Sequence, residues 1–276
     1  MTVQMISEDA FTTIIEVVPP AGPDAEPLLA GLKALRDLPF QAFSVATNPL
    51  ARPRMSALAL SSLIQRRTSR RAILHCTTRD HNRLSLQGLL WGARALSIET
   101  VLVATGDFVA LGDRASTTTV RDVDVFDLIR MARQAGLRTG VVLNVRAEPD
   151  RWEAEIRWLR HKVEAGAQFI VTQPVYDTAQ ASKVLEATRG FDLPVLMGIL
   201  PLRTARHARF LHHRVAGIVV PDRVMERLAE SSDAAAEGVV NARDMLALAR
   251  HEFRGACVMP PFDRYDVVLD VMQQDV

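Results

Sequence analysis

The sequence predicts an α/β fold, a (β/α)8 TIM barrel forming a single domain over residues 1–276, on three observations. Short β-branched or apolar runs alternate about eight times with segments of helical spacing, the pattern of a parallel barrel. Several of these runs stop in Pro, Asn-Pro or a Thr-rich turn, as strands do when they end abruptly and hand on to a helix. No G-x-G-x-x-G follows the first run, which leaves a doubly wound dinucleotide-binding sheet as the runner-up.

The first strand is predicted over Thr12–Val18 (TTIIEVV), stopped by Pro19-Pro20, with Glu16 breaking its apolar run. A helix follows over roughly Asp24–Arg36, then a strand over Gln41–Thr47 closed by Asn48-Pro49, then a helix over Ser56–Gln65. Ala72–Cys76 is the third strand, and Thr77–Asp80 supplies turn and N-cap chemistry. Leu86, Leu89, Leu90 and Ala93 fall at i, i+3, i+4 and i+7, one apolar helix face. Thr100–Ala104 is the fourth strand and runs into Thr105-Gly106-Asp107. A long polar loop, Asp107–Val120, contains Gly112-Asp113 and three threonines and leads to a helix over Val123–Gln134. Strands five to eight are predicted over Thr139–Asn144, Gln168–Gln173, Leu193–Leu200 and Gly255–Met259. Trp152, Ile156, Leu159 and Val163 mark the fifth helix. Ile218–Val220, capped by Pro221-Asp222, is assigned to a loop, because a strand there would be the ninth.

Composition narrows the function. Lys and Arg number 33 against 32 Asp and Glu, a formal charge of +1, so nothing favours nucleic acid or another polyanion as partner. The basic clusters at Arg66–Arg71 and Arg203–Arg214 suit solvated helix faces or helix C-termini. Cys76 and Cys257 form no metal or C-x-x-C pattern and sit in or beside apolar runs, as buried thiols do. No run reaches the roughly 18–20 apolar residues of a membrane span, and no secretory signal is visible, so a cytoplasmic location is expected.

A barrel of this kind carries its chemistry where the strands end. Those ends supply Glu16, Thr47-Asn48, His75 with Thr77, Asp107, Asn144 and Gln173, a polar rim suited to a ligand rich in hydrogen-bonding edges. Glu16, in an apolar strand, should hold its proton towards neutral pH and serve as a general acid, unless an arginine pairs with it. Asp107 is either a site carboxylate or a turn cap after Gly106. His75 is either a site residue or a hydrogen-bonded core histidine, and no second His or carboxylate at ligand spacing makes a metal site. Gln173 offers a donor and an acceptor together, which suits a heterocycle edge, though a strand end can use both itself. There is no G-x-S-x-G nucleophile elbow and no strand lysine for a Schiff base. Aromatic content of 5% leaves few sugar-stacking platforms for a two-carboxylate glycosidase.

Together, Ile15-Glu16-Val17-Val18-Pro19-Pro20, Asn48-Pro49-Leu50-Ala51-Arg52, and the run from Cys76 through Thr77-Thr78-Arg79-Asp80-His81-Asn82 to Arg83 form an ordered set. Thr105-Gly106-Asp107, Lys162 through Ala167, Thr172 through Asp177 (TQPVYD) and Gly198-Ile199-Leu200-Pro201 complete it. In order and spacing this set resembles the methylenetetrahydrofolate reductase family, in its short bacterial form without a regulatory domain. The resemblance implies a flavin-dependent reduction of 5,10-methylenetetrahydrofolate to 5-methyltetrahydrofolate in one-carbon metabolism. FAD, or FMN in its place, would be the cofactor and NAD(P)H the electron source, by ping-pong transfer. It gives Glu16 the role of the acid, Asp107 a place near flavin and pterin, and Gln173 the folate contact. His75, Thr105, Gly106 and Lys162 match positions that line the flavin site, and Thr47 and Asn144 join them from the rim. Lys162, near a helix end, would meet a cofactor phosphate as a point charge. The chain departs from the family pattern at Val17-Val18, beside Glu16, and at Ala46, Trp158 and His161, around the expected cofactor. Two other readings stay open: a non-catalytic folate- or flavin-binding barrel, and direct hydride transfer without flavin. The expected partner is a small folate substrate, with a homo-oligomer or a partner subunit left open.

Overall fold

The computed structural model describes residue 6 and residues 10–109, 117–145, 148–215 and 217–273. Eight strands form one closed parallel barrel in sequential order: β1 (Thr12–Val17), β2 (Ala42–Val45), β3 (Arg71–Thr77), β4 (Thr100–Ala104), β5 (Arg138–Leu143), β6 (Phe169–Pro174), β7 (Val195–Ile199) and β8 (Gly255–Val258). Each predicted strand is present, most shorter by a residue or two at an end. Asn144 lies just past β5, and Gln173 lies within β6. Ile218–Val220 is not a strand, as expected. Gly112-Asp113 lies outside the described residues.

The outer helices are α1 (Glu26–Leu32), α2 (Ala57–Thr68), α3 (Arg83–Ala95), α4 (Val125–Gln134), α5 (Pro149–Glu164) and α6 (Thr178–Thr188). Between β7 and β8 lie α7 (Ala205–Arg214), α8 (Asp222–Glu230) and α9 (Ala234–Glu252), and α10 (Tyr265–Met272) follows β8. None of the described helices is long and apolar enough to cross a membrane.

Two apolar layers hold the barrel. Outward strand residues such as Ile15, Phe43, Leu74, Val101 and Val141 pack on the helices. Inward residues Ile14, Ala42, Ile73, Leu102, Phe169, Val171, Leu196 and Cys257 fill the barrel interior, with Ile6 buried among them. Large and small residues share that interior. A Cβ on Gly140 would collide with the Phe169 ring, so the ring occupies the space that a side chain on β5 would need. Strand alternation then carries Glu16, Ser44, His75 and Gln173 on the inward face, one step above the apolar layer.

One local prediction is corrected. The N-cap of α3 is Asn82, whose side chain accepts from the Ser85 N–H, and not a residue of Thr77–Asp80. Asp80 instead receives hydrogen bonds from Arg79 and Asn48, so its carboxylate ties loops together.

Candidate active site

The polar layer begins on β1 and β2, where Glu16 and Ser44 are register partners. Ser44 Oγ lies 2.7 Å from His75 Nε2, and the Thr47 hydroxyl donates to the His75 carbonyl at 2.5 Å. Burial pushes His75 down to about 4, so its ring is neutral at physiological pH. His75 is thus a hydrogen-bonded wall of the site.

Glu16 is half-buried among apolar neighbours, and its carboxyl is pushed up to about 7. Burial is the largest cause, followed by the negative charges of Asp107 and then Asp263. No arginine pairs with it among the described residues, so the paired-carboxylate alternative does not apply. Cys257 from β8 and Tyr265 from α10 also face it, and its charge helps to raise both of them. Asp263 is itself raised by partial burial, against the opposing pull of the Arg54 guanidinium. Burial and the two nearby carboxyl groups thus act in the same direction, and all three hold the proton on Glu16.

Asp107 follows β4, half-buried, and its carboxylate accepts the Leu50 N–H at 2.6 Å. Gly106 before it takes a positive φ of 85°, and a Cβ there would crowd Arg79 and Thr77. Thr105 is exposed, and its carbonyl accepts from the Thr78 hydroxyl at 3.3 Å. Gln173 stands half-buried where the β6–β7 register shifts between Val171 and Pro174. At that irregularity the Thr172 hydroxyl accepts the Gly198 N–H at 2.9 Å, and a Cβ on Gly198 would strike the Thr172 carbonyl.

On β5 and α5 a separate buried network forms. Lys162 Nζ donates to the Val142 carbonyl at 2.7 Å and lies 3.7 Å from Glu155, the two side chains being 8% and 6% exposed. Asn144 gives Glu155 both its backbone N–H, at 3.3 Å, and its side-chain amide, at 3.1 Å. Next to this network Trp158 packs on Phe126 with ring centroids 4.6 Å apart, and His161 meets the same phenyl ring.

A flavin places a phosphate or diphosphate against the protein, and that group needs a cation with donors to spare. Lys162, the cation expected there, is buried and spends itself on Glu155 and Val142. Asn144 is spent on Glu155, and the Thr47 hydroxyl on His75. As arranged, this set does not fit a flavin phosphate.

Sequence reasoning singled out Glu16, Asp107, Gln173 and His75, gave Arg79 and Asp80 only turn and N-cap chemistry, and gave no role to Glu155, Arg54 or Asp263. Glu155 had a signal, since it stands seven residues before Lys162 and so on the same face of α5. Asp263 had only the Pro260-Pro261 strand end to mark it.

Comparison with known proteins gives the family and a fold likeness. The family model described as methylenetetrahydrofolate reductase matches residues 2–251. A 5,10-methylenetetrahydrofolate reductase of Pectobacterium carotovorum subsp. carotovorum is 24% identical over 193 residues, covering 68% of this chain and 63% of that protein. A probable methylenetetrahydrofolate reductase (NADPH) of Caenorhabditis elegans is 25% identical over 134 residues, 47% of this chain but 20% of that protein. The chain thus matches less than two thirds of either relative. Among solved structures, a Clostridium thermocellum protein that binds two copies of 5-methyl-5,6,7,8-tetrahydrofolic acid superposes with a TM-score of 0.69. It is 13% identical, with 95% of this chain and 93% of that one covered, a likeness of fold.

Proposed function

Because the chain belongs to the methylenetetrahydrofolate reductase family, we propose that it reduces 5,10-methylenetetrahydrofolate to 5-methyltetrahydrofolate with NAD(P)H as the electron source. The observation that carries this reading is Glu16, an acid that keeps its proton to about pH 7 at the C-terminal rim of the barrel. Glu16 delivers that proton to N10 of the folate, and the N10–methylene bond breaks to leave an iminium at N5. Hydride from the nicotinamide is added to the methylene carbon and completes the methyl group. One proton and one hydride are consumed, and NAD(P)+ is released. Asp107 accepts from the N–H groups of the pterin, and Gln173 meets its mixed donor and acceptor edge. His75, being neutral, adds no positive charge beside the developing iminium.

The resemblance implies a flavin relay between nicotinamide and folate. The partners already held by Lys162, Asn144 and Thr47 favour the second reading, in which nicotinamide and folate meet directly. An absorbance scan of the purified protein, followed by anaerobic NADH and then methylenetetrahydrofolate, tests both. A colourless protein that forms 5-methyltetrahydrofolate selects direct transfer. A yellow one, bleached by NADH and recoloured by the folate, selects the relay. Folate binding with no turnover from either nicotinamide would mean a binding protein and would overturn the reductase reading.

A further inference from the structure

Three rim loops meet on one buried guanidinium. Arg79, 4% exposed, follows β3. Its Nε and Nη2 donate to the two Asp80 carboxylate oxygens at 2.5 and 2.6 Å. Nη2 also donates to the Asn48 carbonyl, 3.2 Å away in the β2 loop, and Nη1 to the Asp107 carbonyl, 3.0 Å away in the β4 loop. The Arg79 carbonyl accepts the Val120 N–H, ahead of α4. Asn48 binds back: its Nδ2 donates to Asp80 at 3.0 Å, and its Oδ1 accepts the Arg54 N–H at 2.9 Å. Burial alone would raise Asp80, but the hydrogen bonds from Arg79 and Asn48 outweigh it and hold the carboxyl below its ordinary range.

Asp107 is therefore gripped twice, and both grips trace to Arg79. Its carbonyl is held directly. Its carboxylate is held by the Leu50 N–H, on a loop that hangs from Asn48, two residues earlier. Gly106 lets the end of β4 approach closely enough for this, since a Cβ there would lie 3.1 Å from the Arg79 Cβ. We propose that Arg79 is the positioning residue that aims the Asp107 carboxylate at the ligand and keeps its charge beside Glu16. The role at the ligand rests on the folate reading of the site. Lysine cannot replace it, because three of the guanidinium's nitrogens act at fixed angles on three different residues, whereas an ammonium is a single point.

The groups facing Glu16 are Asp107, Asp263, Cys257 and Tyr265, with Arg54 beside Asp263. This makes the sign of a titration decisive. Deleting a nearby positive charge raises a carboxyl, whereas letting Asp107 swing away from Glu16 lowers it. The Glu16 carboxyl is followed by 13C NMR in the ligand-free wild type, Arg79→Gln, Arg79→Lys, Asn48→Ala, Asp107→Asn and the Arg79→Gln/Asp107→Asn double variant. Asp107→Asn is expected to lower the Glu16 midpoint. Both Arg79 variants and Asn48→Ala are expected to lower it too, and the double variant no further than Asp107→Asn alone. A raised or unmoved midpoint in the Arg79 variants overturns the proposal. Should neither of those fold, Asn48→Ala decides on the same sign. In calorimetry with 5-methyltetrahydrofolate, Arg79→Gln should raise Kd roughly tenfold, the scale of one displaced charge-assisted hydrogen bond. The titration uses no folate, so a wild-type chain that ignored folate would remove the functional reading and still leave Glu16 to judge Arg79.

Discussion

The Leu50 N–H donates to the Asp107 carboxylate at 2.6 Å from a left-handed backbone, φ 54°, that a leucine rarely adopts. Ala51 beside it is also left-handed, at φ 55°, and the Leu50 side chain stays 47% exposed. The conformation serves the N–H and not the side chain. Strain of this kind collects where a loop must present one group to a site.

Leu50→Gly should therefore be tolerated. Glycine removes the left-handed penalty, keeps the N–H, and adds an unfolded-state entropy cost of similar size. Thermal unfolding should give a stability within about 1 kcal/mol of wild type. A loss well beyond that would mean that the leucine side chain is packed.

Glu16 links stability to pH. Its ordinary value of 4.5 is raised to about 7 in the fold, so between those values the folded chain holds a proton that the unfolded chain releases. Stability from this group is present at low pH and declines as pH rises through 4.5 to 7. Glu16→Gln removes the cost of the buried charge and should stabilise the protein at pH 8 by up to about 3 kcal/mol, with no gain at pH 4. Denaturant melts at the two pH values check this. An equal effect at both would place the Glu16 proton elsewhere.

In catalysis the same proton acts with the same sign. Activity of the wild type should fall as pH rises above about 7, where Glu16 loses the proton that the proposed reaction takes from it. Glu16→Gln should lower folate reduction by at least roughly 10²-fold while folate still binds. A pH–rate profile and a binding titration separate the two effects, and equal losses in binding and turnover would make Glu16 structural.

Lys162 and Glu155 form a buried pair, so removing one partner strands the other. Lys162→Met should cost about 3–5 kcal/mol in denaturant unfolding, and Lys162→Met/Glu155→Leu should recover much of it. If Lys162→Met is instead neutral in stability, the pair does not hold the fold together, and the case for a flavin strengthens.

Gly140 is the register partner of Phe169 on the neighbouring strand, and the Phe169 ring lies over it. Gly140→Ala should destabilise by about 1–3 kcal/mol through overpacking, and Phe169→Leu in the same chain should return part of that loss. Unfolding of the single and double variants reads this directly.

The barrel was legible because its signals are local. Thr100–Ala104 and Thr12–Val17 are β-branched or apolar runs whose ends chemistry marks, and their order alone implies closure. Glu16 was legible because a carboxylate in TTIIEVV breaks its own pattern. The Arg79 clamp was not. Its partners Asn48, Asp80 and Asp107 come from three loops, and adjacent Arg-Asp in a turn reads as surface charge until the fold buries it. The same holds for Lys162. At a helix end it reads as a cation for a phosphate, and only packing shows that Glu155 and Val142 have claimed it. Asp263 follows Pro260-Pro261 and Phe262 in sequence, and only the fold brings its charge to bear on Glu16.

The proposed reaction requires hydride to reach a folate methylene at the Glu16 rim. The most direct measurement is mass spectrometry of the product formed anaerobically from methylenetetrahydrofolate and NADH or NADPH deuterated at the transferable C4 position. The account predicts 5-methyltetrahydrofolate from wild type and almost none from Glu16→Gln. One deuteron in the methyl group would mark direct transfer, whereas a relay that exchanges with water would wash it out. Unchanged methylenetetrahydrofolate with wild type and both nicotinamides would contradict it.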